Sequence, residues 1–240
     1  MLSAILICTI YVLLLLGLAK LFGVKYTDII KNTDNIKRGI VFPIGIASYL
    51  LLIFAVYYGW LPDVLSFDPR VTNPILLLIP FATIVSIVAR FSKMKLNSFD
   101  RTGIILLVMG TLIIGFSEEL LVRGIAVHAL QKDGYSIVVI GILSSLIFGL
   151  LHFMNFFNGQ DIKKTTIQVG GTILMGLNFY IILVITGTLW APIVVHFLYD
   201  LSIFALGPDP KLEKSLTSNI ISISTIAMFI LPVLGLFFIN

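Results

Sequence analysis

The chain has 240 residues, of which 58% are hydrophobic and only 12% are charged, and its mean hydropathy is +1.08. Because soluble domains carry about a quarter charged residues, this composition excludes a water-soluble globular protein. The formal net charge of +4 comes from basic residues concentrated in the loops on one side of the membrane, so we expect no nucleic-acid partner.

Apolar stretches recur along the chain, each close to the length of about 20 residues that crosses a hydrocarbon core. We therefore predict an all-α, polytopic membrane bundle of about eight transmembrane helices, forming a single membrane domain over residues 1–240. The predicted spans, in chain order, are residues 2–22, 39–60, 74–90, 103–129, 137–157, 166–186, 189–206 and 219–239. The only cysteine, Cys8, lies in the first span, so neither a disulfide nor a cysteine zinc site is available.

The loops between these spans differ in charge. Thirteen of the sixteen lysines and arginines flank the odd-numbered loops: Lys20, Lys25, Lys31, Lys37, Arg38, Arg90, Lys93, Lys95, Arg101, Lys163, Lys164, Lys211 and Lys214. The even-numbered loops hold only Arg70 and Lys132, and Arg123 lies within a span. The positive-inside rule then makes the odd-numbered loops cytoplasmic and places both chain termini outside.

The fourth span carries Glu118, Glu119 and Arg123 within its apolar part, where a charged side chain is energetically unfavourable. A charged side chain near mid-bilayer costs about 2.5–3.5 kcal/mol on insertion scales, so such residues face a bundle interior and pair with one another. Glu119 and Arg123 are four residues apart and can form an ion pair on one helix face. Glu118 points about 100° away and has no such partner, so we expect it to be free for proton transfer.

Two later spans add the other ionisable residues. In the fifth span, Phe148 precedes His152 by four residues, which places an aromatic ring one turn from the imidazole. In the seventh, His196 and Asp200 share a helix face, so the carboxylate can orient the imidazole. Asn178, in the sixth span, is expected to hydrogen-bond between helices rather than line a cavity.

These residue types suit the activation of water in two ways. Glu118 can act as a general base while the two imidazoles orient the water or stabilise an oxyanion. Alternatively, Glu118, His152 and His196 can hold a zinc ion whose bound water is the nucleophile, with Asp200 nearby. The residues alone leave both mechanisms open.

The ordered set Glu-Glu-x3-Arg, Phe-x3-His and His-x3-Asp, each on a separate apolar span, resembles the CPBP (Abi) family over approximately residues 100–206. That family includes CAAX prenyl endopeptidases and bacterial bacteriocin-processing or immunity proteins. Asp200 replaces the Asn of the eukaryotic prenyl proteases, which favours the bacterial branch and a bacterial cell membrane. Val122 stands where the family often has an aromatic residue before the arginine.

The resemblance implies an eight-helix intramembrane protease that cleaves a membrane-embedded or lipidated peptide within membrane lipid. By position, Glu118 would activate water with help from His152. His196 and Asp200 would bind the oxyanion or a metal, and Glu119 and Arg123 would support the site.

Two other functions fit the same residues. The chain could be a membrane scaffold or a bacteriocin self-immunity protein that keeps the fold for binding only. It could also be a proton-coupled transporter, although the spans lack the paired halves with matching broken helices that many transporters have.

Overall fold

The computed structural model describes residues 1–68, 71–206 and 215–239. Within them the chain forms a bundle of eight apolar helices, which confirms the predicted all-α membrane class. In chain order these are α1 (Leu2–Phe22), α2 (Thr33–Tyr57), α3 (Pro74–Phe91), α4 (Arg101–Lys132), α5 (Ile137–Phe157), α6 (Ile162–Thr186), α7 (Trp190–Phe204) and α8 (Leu216–Phe238). Three loop residues used above for orientation lie outside the described residues, namely Arg70, Lys211 and Lys214.

Seven of these helices are long and apolar enough to cross a membrane, and the protein is an integral, multi-pass membrane protein. The exception is α7, which has only 15 residues. At 1.5 Å per residue it spans about 22 Å, which is less than the roughly 30 Å hydrocarbon core. The seventh predicted span is thus a helix, but a shorter one than residues 189–206.

The bundle is arranged around α6, the helix with the largest buried share. It packs against α5 on one side and α8 on the other, while α8 also contacts α3. A second group forms where α7 and α2 both pack against α4. Large apolar side chains such as Leu2, Tyr57 and Phe237 are exposed on the outside, as expected for surfaces that meet lipid tails.

The middle of α4 is not a regular α-helix. The segment Leu120–Ala126 is π-helical, with all seven residues buried, and it directly follows Glu118 and Glu119. Such π-helical turns are rare and occur often at functional sites. Because the turn is widened here, the four-residue spacing between Glu119 and Arg123 no longer has ideal α-helical geometry.

A glycine allows α4 and α7 to approach closely. A Cβ atom on Gly115 would lie 3.0 Å from the backbone nitrogen of Phe197 and 3.1 Å from the carbonyl oxygen of Ile193. Any side chain would therefore meet the neighbouring backbone, which cannot rotate away. This contact sets one turn of α4, just before Glu118, against the turn of α7 that carries His196.

Two polar residues hold helices together away from the ionisable cluster. As predicted, Asn178 hydrogen-bonds between helices: its amide donates to Thr83 on α3 and to the carbonyl of Met228 on α8. Arg90 flanks the third loop, as predicted, but its side chain is buried. It donates to the hydroxyls of Ser86 and Thr225, so the last turn of α3 is tied to α8.

Candidate active site

Glu118, His152 and His196 come from three different helices and meet in one place. Glu118 Oε2 lies 3.9 Å from His152 Nε2 and 3.9 Å from His196 Nε2. The Oε2 atom is buried and has no hydrogen-bond partner among the described residues. These separations are too long for direct hydrogen bonds, and polar atoms more than 3.5 Å apart are where a bridging water is to be sought. The three side chains therefore face a common position that a water could occupy.

The two neighbouring glutamates have different surroundings. Glu119 is fully buried, and its Oε1 lies 2.8 Å from His196 Nδ1 and 3.4 Å from Arg123 Nη1. Arg123 also donates from Nη2 to the carbonyl of Gly176 on α6, at 2.8 Å. The expected Glu119–Arg123 pair is present, but the bond from His196 to Glu119 could not be anticipated from spacing within one helix.

Each imidazole is oriented by the hydrogen bond at its Nδ1. His152 Nδ1 lies 2.9 Å from the carbonyl oxygen of Phe148, which can only accept, so that nitrogen carries the hydrogen and Nε2 is left to face Glu118. His196 Nδ1 is paired with Glu119 in the same way. Both rings therefore direct Nε2 toward the Glu118 carboxylate.

Asp200 lies one helical turn after His196, as the four-residue spacing predicted. Its Oδ2 is 3.5 Å from His196 Nε2, and the side chain is partly exposed to a cavity beside the cluster. The carboxylate thus adds a second acidic group on the cavity side of the imidazole.

Aromatic rings form the walls around the imidazoles. The ring of His196 stacks on Phe179 at 4.6 Å between centroids, and Phe148 meets both His152 and His196 edge-on. The guanidinium of Arg123 lies 4.2 Å from the centre of the Phe148 ring. The phenylalanine of the Phe-x3-His motif therefore has two uses, since it fixes His152 through its carbonyl and packs against Arg123 through its ring.

The cluster borders a cavity of about 360 Å³. Glu118, His152, His196 and Asp200 line it, whereas Glu119 and Arg123 lie behind them. Most of the wall is apolar, and the loop between α1 and α2 contributes Tyr26 and Ile29. The cavity thus reaches the end of the bundle that carries the first basic loop.

Several residues that shape this site are not predicted from the sequence. Tyr11 of α1 lines the cavity, and its hydroxyl shares a hydrogen bond of 2.8 Å with Ser117, the neighbour of Glu118. Asn155, Gln168 and Tyr26 also line the cavity. None belongs to a motif, because a polar residue at a helix end or on a long apolar helix gives no signal until the helices are packed.

The residues available to a metal are Glu118, His152 and His196, which are of the types that bind zinc. In the described part of the chain, no three His, Cys, Asp or Glu side chains are grouped closely enough to hold a metal ion. As they stand, the side chains do not fit a bound ion, so the chemistry below is derived from the chain's own groups. Zinc binding at these three residues stays a prediction.

The fold and this cluster define a polytopic helical membrane protein with acids and histidines buried beside an internal cavity. Residues 100–202 match the family model of type II CAAX prenyl endopeptidase Rce1-like proteins. The match covers all three motifs and confirms the resemblance to the CPBP family, and hence to intramembrane proteases of the CAAX type. No curated protein matches the chain.

Proposed function

We propose that the protein is an intramembrane endopeptidase in which Glu118 activates the water that hydrolyses a peptide bond. The observation that supports this most directly is the position of Glu118 Oε2, which is buried, lacks a partner in the described residues and lies 3.9 Å from each imidazole. Glu119 is a poorer candidate for the base because it is already engaged by Arg123 and His196.

The reaction needs only the groups that line the cavity. Glu118 removes one proton from water as the water oxygen bonds to the carbonyl carbon. His152 Nε2 accepts a hydrogen bond from the other O–H, which stays intact, and so orients the attack. The carbonyl oxygen becomes negatively charged and is stabilised by the Nε2–H of a doubly protonated His196, whose Nδ1–H bonds to Glu119 and whose positive charge is balanced by Glu119 and Asp200. Glu118 then passes its proton to the leaving nitrogen as the C–N bond breaks.

We further propose that the substrate is a membrane-embedded or lipidated peptide. The mostly apolar wall of the cavity suits an apolar chain, and the matching family is named for prenyl endopeptidases. The contribution of Tyr26 and Ile29 to the cavity favours entry from the side of the first basic loop, which the positive-inside rule makes cytoplasmic.

The test uses purified full-length protein and a quenched fluorescent peptide that carries an S-farnesyl cysteine. Replacing Glu118 with Gln, or His152 with Ala, is expected to lower kcat by at least about 100-fold, the range for loss of a general base or its partner. Asp63→Asn is the matched control, because Asp63 is an exposed acid away from the cavity and its loss should change nothing.

Undiminished cleavage by Glu118→Gln would contradict the proposed base. The same cleavage assay with a metal chelator tests for a zinc ion. The proposed mechanism predicts that cleavage persists in the chelator. Loss of cleavage on chelation, with recovery on added zinc, would assign Glu118, His152 and His196 as ligands. If no variant affects a cellular phenotype that the gene complements, the scaffold or immunity function replaces the enzymatic one.

A further inference from the structure

Three polar side chains form a hydrogen-bonded relay on the cavity wall, apart from the acid–histidine cluster. Asn155 Nδ2 lies 3.1 Å from Gln168 Oε1, and Gln168 Nε2 lies 2.9 Å from the hydroxyl of Tyr26. The residues come from α5, α6 and the loop after α1, and all three line the cavity. We call this set the amide relay.

The amide relay lies next to the proposed site of hydrolysis. Asn155 is one turn beyond His152, and its backbone nitrogen donates to the carbonyl of His152 at 3.1 Å. The loop end of the relay is also held in place, since the backbone nitrogen of Tyr26 donates to the carbonyl of Asn158 at 3.0 Å. An extended chain advances about 3.3–3.6 Å per residue, so the relay is within a few residues of a bond cleaved beside His152.

The two ends of the amide relay have opposite hydrogen-bonding character. With the amides as oriented, the Tyr26 hydroxyl accepts from Gln168 and has its own hydrogen left to donate, while Asn155 Oδ1 is left to accept. No other hydrogen bond to either atom exists within the described residues. Reversing both amides exchanges the two ends but still leaves one donor and one acceptor. Burial raises the pKa of Tyr26, so its hydroxyl stays neutral and keeps that hydrogen.

The edge of an extended peptide offers the complementary groups. Along an extended chain, N–H and C=O groups are presented on the same side, as in the hydrogen-bonded pairs of an antiparallel ladder. An apolar wall surrounds the relay, so an unpaired peptide group entering here would lose its bonds to water without replacement.

We propose that the amide relay of Tyr26, Gln168 and Asn155 is a binding subsite for main-chain N–H and C=O groups of the substrate. It hydrogen-bonds to the peptide backbone rather than to a side chain and so holds the peptide in register beside His152. The proposal rests on the proposed peptidase function for the identity of the ligand. It adds a subsite that lies partly outside the segment matched by the family model.

The test compares the farnesylated peptide with ester analogues in which one backbone N–H at a time is replaced by oxygen. In the wild type, one ester position is expected to lower kcat/KM about tenfold, since a lost hydrogen bond leaves a buried partner unsatisfied. In Gln168→Leu, whose relay is already broken, the same ester should lower kcat/KM by less than about twofold. In Tyr26→Phe the ester should lower kcat/KM by less than it does in the wild type. In Gln168→Leu the parent peptide should show a raised KM with kcat little changed.

Gln131→Leu is the control, because Gln131 is a glutamine on α4 outside the cavity and should keep the full ester penalty. Thermal unfolding establishes that each variant is folded. Equal ester penalties in wild type and both relay variants, or none at any position, would overturn the subsite. If the wild type cleaves no peptide, the peptidase function fails separately from the subsite. Fluorescence anisotropy then measures the Kd of the parent and ester peptides for the wild type and for Gln168→Leu. The subsite is supported if the ester weakens binding to the wild type but not to Gln168→Leu, and it is overturned otherwise.

Discussion

At the residue scale, two adjacent glutamates differ because their side chains leave the helix in different directions. Glu119 points into the bundle, where Arg123 and His196 surround it, while Glu118 points to the cavity and contacts no partner directly. The two glutamates therefore have different roles: Glu119 orients an imidazole, whereas Glu118 faces a position that a water could occupy. We therefore treat Glu119 as a positioning residue for His196.

Glu119→Gln tests this positioning role. The change leaves Arg123 as a buried cation without its carboxylate, so we expect the free energy of unfolding to fall by about 3–5 kcal/mol. We also expect kcat/KM to fall by about 10–100-fold, as is typical when the orienting partner of a functional histidine is lost. Both quantities are measured on purified protein, by denaturation and by cleavage of the farnesylated peptide.

The double variant Glu119→Gln/Arg123→Met separates the two effects. Removing both members of a buried pair is often nearly neutral, so stability should recover in large part. Activity should not, because His196 still lacks its carboxylate. Recovery of both would mean that Glu119 matters only for folding.

At the element scale, the site depends on how closely α4 is held to its neighbours. Gly115 lets α7 approach, the π-helical segment Leu120–Ala126 follows the glutamates, and Gly176 of α6 receives a hydrogen bond from Arg123. None of these features carries a reacting group. Together they set the distance between the Glu118 carboxylate and the two imidazoles.

Gly115→Ala should push α4 away from α7. The added Cβ would lie 3.0 Å from the Phe197 nitrogen, so we expect a loss of about 1–3 kcal/mol in stability and a clear fall in kcat. Gly170→Ala is the matched control, since a Cβ there meets nothing within 4 Å and alanine favours a helix by about 1 kcal/mol. Equal stability and activity of the two variants would argue against the close approach.

Asp100 joins α2 to the start of α4. It accepts hydrogen bonds from the Thr33 hydroxyl at 2.6 Å and from the Gly103 nitrogen at 2.7 Å, and these bonds hold the pKa of Asp100 below its ordinary value of 3.8. A depressed folded-state pKa contributes stability that is complete above 3.8 and is lost as pH falls through the folded-state value.

The difference in Tm between wild type and Asp100→Asn should accordingly be largest near neutral pH and shrink below about pH 4. Asparagine is the appropriate replacement because it caps a helix almost as well but does not titrate in this range. Thermal unfolding across this range measures the difference. A constant or widening gap on acidification would contradict the assigned role of the carboxylate.

At the scale of the whole molecule, the cavity extends to the same end of the bundle as the first basic loop. The loop that carries Lys25 and Lys31 also supplies Tyr26 and Ile29 to the cavity wall, and Lys37 follows it in the first turns of α2. The positive-inside rule therefore predicts that the cavity is reached from the cytoplasmic side. Helix α7, the shortest of the eight, carries two of the cavity's polar residues, His196 and Asp200.

Labelling of single cysteines tests this orientation. Lys31→Cys, in the first loop, should react with a membrane-impermeant maleimide only after the cells are permeabilised, and Tyr135→Cys, in the fourth, should react in intact cells. Both positions are exposed, whereas the native Cys8 is buried and should give little background. The reverse pattern would invert the topology and place the cavity on the outer side.

Much of this molecule follows from the sequence alone because each inference there depends on one local property. Apolar length predicts the eight helices, the cost of charge in lipid singles out Glu118, His152, His196 and Asp200, and four-residue spacing predicts the contact between His196 and Asp200. The ends of the helices are less well predicted, as with α4, which continues to Lys132 rather than residue 129.

What only the tertiary structure decides is how residues from different helices meet. The bond from His196 to Glu119, the burial of Arg90, and the amide relay of Tyr26, Gln168 and Asn155 all join segments far apart in the chain. A sequence states which faces of a helix are polar, but not the rotation and depth at which two helices pack. Those are set by the sum of many weak contacts, including the approach that Gly115 allows, and they determine which polar groups become neighbours.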